Sequence, residues 1–396
     1  MQKASKETIK AMNRQHIINF FFGKDKVSKS EVVEYTRLSP ATVGNLIASL
    51  VVEGVLLERE YGASSGGRRP LFYSLNTGLH HILTVKITTK QVVAAVIDLA
   101  GSILASQTQL ASIHDTASFT ESVTTIITRL RQQEPVLMER VDTVAFSIPG
   151  VMDYTHARLV YSAALYVENY DLRFLVDTVL RSGLTVRVFK DTDALLLGEY
   201  HCGTSDCGSL AYFLCENGVG LSLMNRDKLF WADNCGMEIG HTVIDLKGKR
   251  CKCGLTGCVS TLLGENRAIE RYIQLTSERT GQGTFDTTGL GYGKLQELSQ
   301  AHDGCASQVM AEQLEILATA LVNVVNLFNP REVVLGGPLA KCPQVESLLD
   351  RMVHDRVLKP FSQNLIVRCS TLDAQACLYG MAYECMKSGY FKTVGI

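Results

Sequence analysis

His241 is followed by Cys251, Cys253 and Cys258, with Gly254 and Gly257 between the last two thiols. Three thiolates and one imidazole complete a tetrahedral shell around zinc and leave no position open for water, so the chemistry predicted is structural. The two glycines let the chain turn tightly enough for three sulfurs to converge. Lys247, Lys249, Arg250 and Lys252 favour the thiolate forms. The competing reading is a set of reduced cysteines in a basic loop. Glu238 lies three residues before His241, and on a helical turn the two would share a side. A metal that fixes the histidine would then aim the carboxylate at a pocket. Cys202, Cys207, Cys215, Cys235, Cys305, Cys342, Cys369, Cys377 and Cys385 are scattered singly in apolar surroundings and read as small buried hydrophobes.

A second group of residues has chemistry suited to DNA. Ser39, Ala41, Thr42 and Asn45 form the small and polar face of a predicted helix, and Arg68 and Arg69 sit in the run Gly66-Gly67-Arg68-Arg69-Pro70. Asn45 suits an adenine edge, and Ala41 or the Thr42 methyl suits a thymine methyl. The two guanidiniums suit phosphates or a narrow minor groove.

The elements that must position these residues follow from periodicity. Residues 9–22 carry apolar side chains at helical spacing and stop at Gly23. Ser28 and Glu31 form a capping box for a second helix, and Ser39 with Pro40 opens a third that buries Val43, Leu46, Ile47 and Leu50. Residues 55–60 and 71–75 alternate like strands around a glycine-rich tip. Together these read as a winged helix-turn-helix, whose third helix would enter the major groove. The competing reading is a three-helix packing module.

Charge supports the first reading. Residues 1–75 hold 11 Lys and Arg against 7 Asp and Glu, and the remainder holds 28 against 33. A basic head on an acidic body suits a nucleic-acid module joined to a regulatory domain. The 396 residues, 46% hydrophobic and 20% charged, exclude wholesale disorder and favour two or three domains. No apolar run approaches the roughly 18 residues that span a bilayer, and the N-terminus has no apolar core, so no membrane insertion and a cytoplasmic location are expected.

The body alternates strands and helices. Strands are expected at 82–87, 92–99, 103–108, 141–147, 186–189, 210–215 and 332–335, with helices over 119–130, 194–201 and 307–328. The expected organisation is a winged helix at 1–76, a first α/β lobe at 77–190 and a second at 191–396 with the metal site, its C-terminal helix able to return to the first lobe.

Gly236-Met237-Glu238-Ile239-Gly240-His241, followed by Cys251-Lys252-Cys253-Gly254-Leu255-Thr256-Gly257-Cys258, resembles the hallmark of the ROK family of repressors, open reading frames and sugar kinases. Ser147-Ile148-Pro149-Gly150-Val151-Met152-Asp153, Glu168-Asn169-Tyr170, Asp191-Thr192-Asp193-Ala194 with Gly198-Glu199, and Asn329-Pro330 with Gly336-Gly337 resemble further family segments in order. The Gly-Gly-Arg-Arg-Pro head is similar to that of the repressor branch. The resemblance implies an actin/hexokinase-like fold with sugar held in the cleft between its lobes. It implies that Asn169, Asp191, Glu238 and His241 contact sugar hydroxyls, that His241 also ligates structural zinc, and that Asp191 matches the base of kinase members.

Departures from the kinase pattern are specific. Where kinases carry D-x-G-G-T, this chain has Lys86-Ile87-Thr88-Thr89-Lys90. Threonine does not readily take the positive φ that a phosphate cradle needs. Gly218 and Gly220 persist in the second phosphate loop, but Leu221-Ser222 stand where the family usually has Gly-Gly. Ser260 stands where the family usually has an acid, two positions after the last zinc cysteine, which implies weak sugar binding, a different sugar or a phosphorylated one. The expected protein has no catalytic residues. It is a sugar-responsive repressor of carbohydrate uptake or catabolism genes, binding operator DNA as a homodimer or dimer of dimers and a sugar or sugar phosphate as effector. The alternatives are an ATP-dependent sugar kinase with a regulatory head, and a repressor controlled by a protein regulator.

Overall fold

A computed structural model describes residues 6–21, 24–61, 70–203, 208–225, 228–230, 237–281, 287–373 and 375–388. The chain divides into two compact units, Met1–Asp191 with Leu378–Ile396, and Thr192–Cys377.

The first unit opens with three helices, α1 (Lys6–Phe21), α2 (Lys29–Thr36) and α3 (Pro40–Val52), and three strands, β1 (Val27–Ser28), β2 (Leu56–Tyr61) and β3 (Leu71–Leu75), in sheet order β1-β3-β2. Local capping sets the helix starts. Ser28 donates its amide to the Glu31 carboxylate at 2.7 Å, and its hydroxyl accepts from the Glu31 amide. Ser39 accepts from the Thr42 amide at 3.2 Å, with Pro40 at the first helical position. Arg37, in the left-handed region, ends α2 and turns the chain into α3. Ile17, Phe21, Val32, Val43, Ile47, Leu50 and Leu56 are fully buried. The connection to the body is tied down: Asn76 donates to Gly54 O at 2.9 Å, Arg140 to Gly78 O at 3.0 Å, and His80 meets Asp142 at 2.7 Å.

The body of this unit is a five-stranded sheet of β4 (His81–Ile87), β5 (Gln91–Asp98), β6 (Ile103–Leu110), β7 (Val141–Ile148) and β11 (Thr185–Lys190), ordered β11-β7-β4-β5-β6. Strands β4, β7 and β11 run parallel, and β5 and β6 complete an antiparallel meander. Helix α4 (Thr116–Gln133) lays Phe119, Val123, Ile126, Ile127 and Leu130 on this sheet, and α5 (Pro135–Glu139) follows it. A small sheet of β8 (Val151–Asp153), β9 (Arg158–Ser162) and β10 (Val167–Asp171), followed by α6 (Leu172–Val179), interrupts β7 and β11.

The second unit repeats the plan. Helix α7 (Asp191–Cys202) leads into β12 (Ser209–Cys215), β13 (Val219–Asn225) and β14 (Lys228–Leu229). Helices α8 (Glu265–Thr280), α9 (Tyr292–Gln300) and α10 (Gly304–Phe328) precede β15 (Glu332–Gly336), α11 (Val345–His354), α12 (Lys359–Ser362) and β16 (Ile366–Cys369), and the last helix, α13 (Ala376–Ser388), belongs from Leu378 onward to the first unit. The order β14-β13-β12-β15-β16 matches the first sheet strand for strand: a hairpin, a third edge strand, then two parallel strands reached through helices. The expected mixed α/β fold therefore holds, and the two five-stranded sheets share one strand order. Helix α10 is apolar and long, and it buries Val309, Leu317, Leu321 and Val325 in the core of this unit.

The strands expected from β-branched runs are present. The small β8–β10 sheet was not foreseen, because its strands carry Glu, Asn, Asp and Arg and are half exposed. Of the nine single cysteines, Cys215, Cys305, Cys342, Cys369, Cys377 and Cys385 are buried as expected. Cys202 is exposed at the end of α7, where helical periodicity turns it outward. Cys207 and Cys235 lie outside the described residues.

Candidate functional site

The metal-type cluster is built by a loop that folds back on itself. Cys251 donates its amide to Leu255 O at 2.7 Å, Gly254 to Cys251 O at 3.0 Å, and Gly257 to Lys249 O at 2.9 Å. Isolated bridges pair Val243 with Cys258 and Arg250 with Thr256. Gly257 has φ +76°, and a Cβ there would lie 1.5 Å from Asp245 O, so only glycine fits. The ligand atoms of His241, Cys251, Cys253 and Cys258 consequently lie within 4.8 Å of one another. Cys251 Sγ is 3.6 Å from His241 Nδ1, and Cys253 Sγ is 3.6 Å from Cys258 Sγ. Zinc bonds of about 2.0 Å to nitrogen and 2.3 Å to sulfur put tetrahedral ligand atoms about 3.5–3.8 Å apart, so the donors fit such an ion. Burial opposes ionisation of Cys251, but the Cys253 amide and thiol, the Ser260 hydroxyl and His241 bring its thiol down to about 6. Burial and the neighbouring thiols push Cys258 up to about 12.

Glu238 and His241 are joined by one turn of 3-10 helix, Ile239–His241, in which His241 donates its amide to Glu238 O at 3.0 Å. Glu238 stands just before the turn with φ −81° and ψ 60°, so the 3-10 geometry that eclipses residues three apart does not extend to it. Glu238 and His241 are both exposed, while Gly240 between them is buried. A Cβ on Gly240 would stand 2.9 Å from Val219 O and 3.6 Å from the Ser260 side chain. Ser260 also lies 3.8 Å from Cys251 Sγ, a proximity that sequence spacing alone did not disclose.

In the first unit, Asn169 sits in β10 with φ +50°, and its side-chain oxygen accepts from Arg158. Tyr170 meets Thr120 Oγ1 at 2.8 Å and stacks edge-on against Phe119, and Asp171 caps α6 through the Arg173 amide at 2.9 Å. Asn169 is thus held between two anchored neighbours. Asp191 is the half-buried first residue of α7. The adjacent Thr192 and Asp193 are buried, and the Ser222 hydroxyl lies 2.8 Å from Thr192 Oγ1 and 2.6 Å from Asp193 Oδ1. Glu199, fully buried, is held by Arg368 at 2.9 Å and by Ser370.

The stretch at the kinase phosphate-loop position is a closed hairpin turn. The Thr88 hydroxyl accepts from the Lys90 and Gln91 amides at 3.3 and 3.1 Å, and no residue from Lys86 to Gln91 has positive φ. At the second glycine pair, a Cβ on Gly336 would lie 1.9 Å from the Tyr212 hydroxyl, and one on Gly337 2.1 Å from Cys215 O. Those glycines accommodate packing within the unit.

In the head, Ser39, Ala41 and Asn45 are exposed at the start of α3, and Thr42 is half-buried with its hydroxyl 2.8 Å from that of Ser39. Arg68 and Arg69 lie outside the described residues.

Residues 82–387 match the ROK family. The DNA-binding transcriptional dual regulator NagC of Escherichia coli is 23% identical, over 95% of this chain and 93% of its own length. The xylose repressor of Bacillus subtilis is 21% identical, over 96% and 97%. Among solved structures, a ROK family transcriptional regulator described as a homologue of the E. coli Mlc protein superposes with a TM-score of 0.83 at 21% identity, covering 97% of this chain and 98% of that one. A ROK family glucokinase from Streptomyces griseus superposes with a TM-score of 0.65 at 19% identity, covering 76% of this chain and 98% of that one.

Proposed function

Because the chain belongs to the ROK family, we propose that it is a sugar-responsive transcriptional repressor acting on carbohydrate uptake or catabolism genes in the cytoplasm. One observation carries this reading. Named repressors align along nearly the whole chain, whereas the glucokinase fold leaves about a quarter of it uncovered. The capped helices α2 and α3 and the sheet that follows form a winged helix-turn-helix, with Ser39, Ala41, Thr42, Asn45, Arg68 and Arg69 facing operator DNA.

Asn169, Asp191, Glu238 and His241 hold a sugar or sugar phosphate. Amide and carboxylate groups that a bound sugar covers discriminate its hydroxyls, because a polar group desolvated and left unpaired is costly. His241, Cys251, Cys253 and Cys258 hold one structural zinc ion, which stabilises the loop that presents Glu238. A homodimer or dimer of dimers presents two winged helices to a two-fold operator.

The protein does not phosphorylate the sugar. The amides that a phosphate would need at Lys90 and Gln91 are engaged by Thr88. The test is fluorescence anisotropy with the chain's own promoter DNA, titrated with hexoses and hexose phosphates, alongside a turnover assay with ATP and magnesium. Specific DNA binding released by one sugar class supports the reading; ATP-dependent sugar turnover without DNA binding overturns it in favour of a kinase.

A further inference from the structure

The loop around the metal-type cluster also carries an exposed outer surface, whose cations can do more than favour the thiolates. Leu246 is 89% exposed and Leu255 51% exposed, and Lys247, Lys249, Arg250 and Lys252 are all exposed beside them. Nearby Arg267 and Arg271 are paired with Glu270 and Glu312 at 2.7 and 2.9 Å. The four loop cations make no ion pair among the described residues. The whole chain has a formal net charge of −1, so a segment with this excess of cations is a local exception. The backbone bonds from Cys251 to Leu255 and from Gly257 to Lys249 fix the loop, so little conformational entropy remains to be lost on docking.

We infer that this loop is a docking surface for an acidic protein segment that carries apolar side chains. Unpaired cations at fixed spacing call for carboxylates, and two protruding leucines call for apolar partners beside them. A second copy of the chain is disfavoured, because a two-fold contact would set four cations against four within a Debye length of about 8 Å. A nucleic-acid backbone would use the cations but leave both leucines in water. As the docking site of a regulator, the surface rests on the repressor reading; as a binding surface it is tested without DNA release.

The experiment uses the full chain and three fluorescein-labelled probes: a short peptide of Asp and Glu interleaved with Leu and Phe, the same peptide with Ser for Leu and Phe, and a duplex of random sequence. The first peptide is expected to bind about tenfold more tightly than the second. Leu246→Ser with Leu255→Ser removes that advantage, and Lys247→Glu with Lys249→Glu weakens both peptides and flattens their salt dependence. Unchanged circular dichroism shows that these variants fold, and the leucine pair also keeps its metal content. Equal affinity of both peptides, or affinity that neither pair of substitutions changes, overturns the proposal. Loss of duplex binding on charge reversal with the leucine changes silent makes the surface a nucleic-acid contact instead. A shift in sedimentation from dimer to monomer in the leucine variant makes it an interface between copies. Operator binding and sugar release are measured separately, so a failed repressor reading leaves the peptide result standing.

Discussion

The hydroxyl of Thr88 accepts a hydrogen bond from the Gln91 amide at 3.1 Å, and this contact closes the turn between β4 and β5. Backbone amides that cradle phosphate must point into open space with their hydrogen-bonding capacity unused. Here a side chain of the turn itself occupies them. Purified protein with ATP, magnesium and a panel of hexoses is therefore expected to show no turnover above the protein-free background, as followed by coupled ADP release. Sustained hexose-dependent ADP release would show that phosphate is held by other groups.

Metal analysis after purification without chelators should find about one zinc ion per chain. Cys251→Ser and Cys253→Ser should each lose that ion, lower the melting temperature and abolish sugar-controlled operator binding, because a three-ligand site no longer closes the loop. Wild-type protein free of metal would remove the assignment.

For operator recognition, Asn45→Ala should relax preference at a single base pair at a cost of about 1–3 kcal/mol. Arg68→Ala or Arg69→Ala should weaken all sequences alike and reduce the salt slope by about 1. Footprints with unchanged sequence preference and salt dependence in all three variants would refute the winged-helix role.

Asp191→Asn should keep operator affinity while abolishing release by the inducing sugar. Asp191 is present although the phosphate turn is closed, and a carboxylate with no phosphoryl donor held nearby still accepts a hydrogen bond from a sugar hydroxyl. A sugar shifts the protein only through differential affinity for its states, so removing a ligand contact removes the shift. Anisotropy titrations of both proteins decide the matter: equal release places the signal elsewhere.

Gly336→Ala should destabilise the second unit by about 1–3 kcal/mol, since its Cβ would fall 1.9 Å from the buried Tyr212 hydroxyl and neither β12 nor β15 can yield easily. Thermal unfolding with unchanged melting temperature would show that Tyr212 moves freely.

Much of this protein was legible in its residues because the deciding interactions are local. Ser28 with Glu31 and Ser39 with Pro40 set helix starts, and β-branched runs set the central strands. The interval from His241 to Cys258 with its glycines announced the metal-type loop. Tertiary structure decided the rest, where groups distant in sequence meet or where side chains choose among partners. Periodicity does not reveal the half-exposed β8–β10 sheet that fixes Asn169 at positive φ, because its polar residues lack an apolar rhythm. The pair Gly336-Gly337 shows no partner in sequence, yet Tyr212 and the Cys215 carbonyl, more than a hundred residues earlier, fill the space beside it. The exposure of Leu246 and Leu255 likewise follows from the fold alone, since a leucine's type says it prefers burial and only its neighbours say whether burial is available.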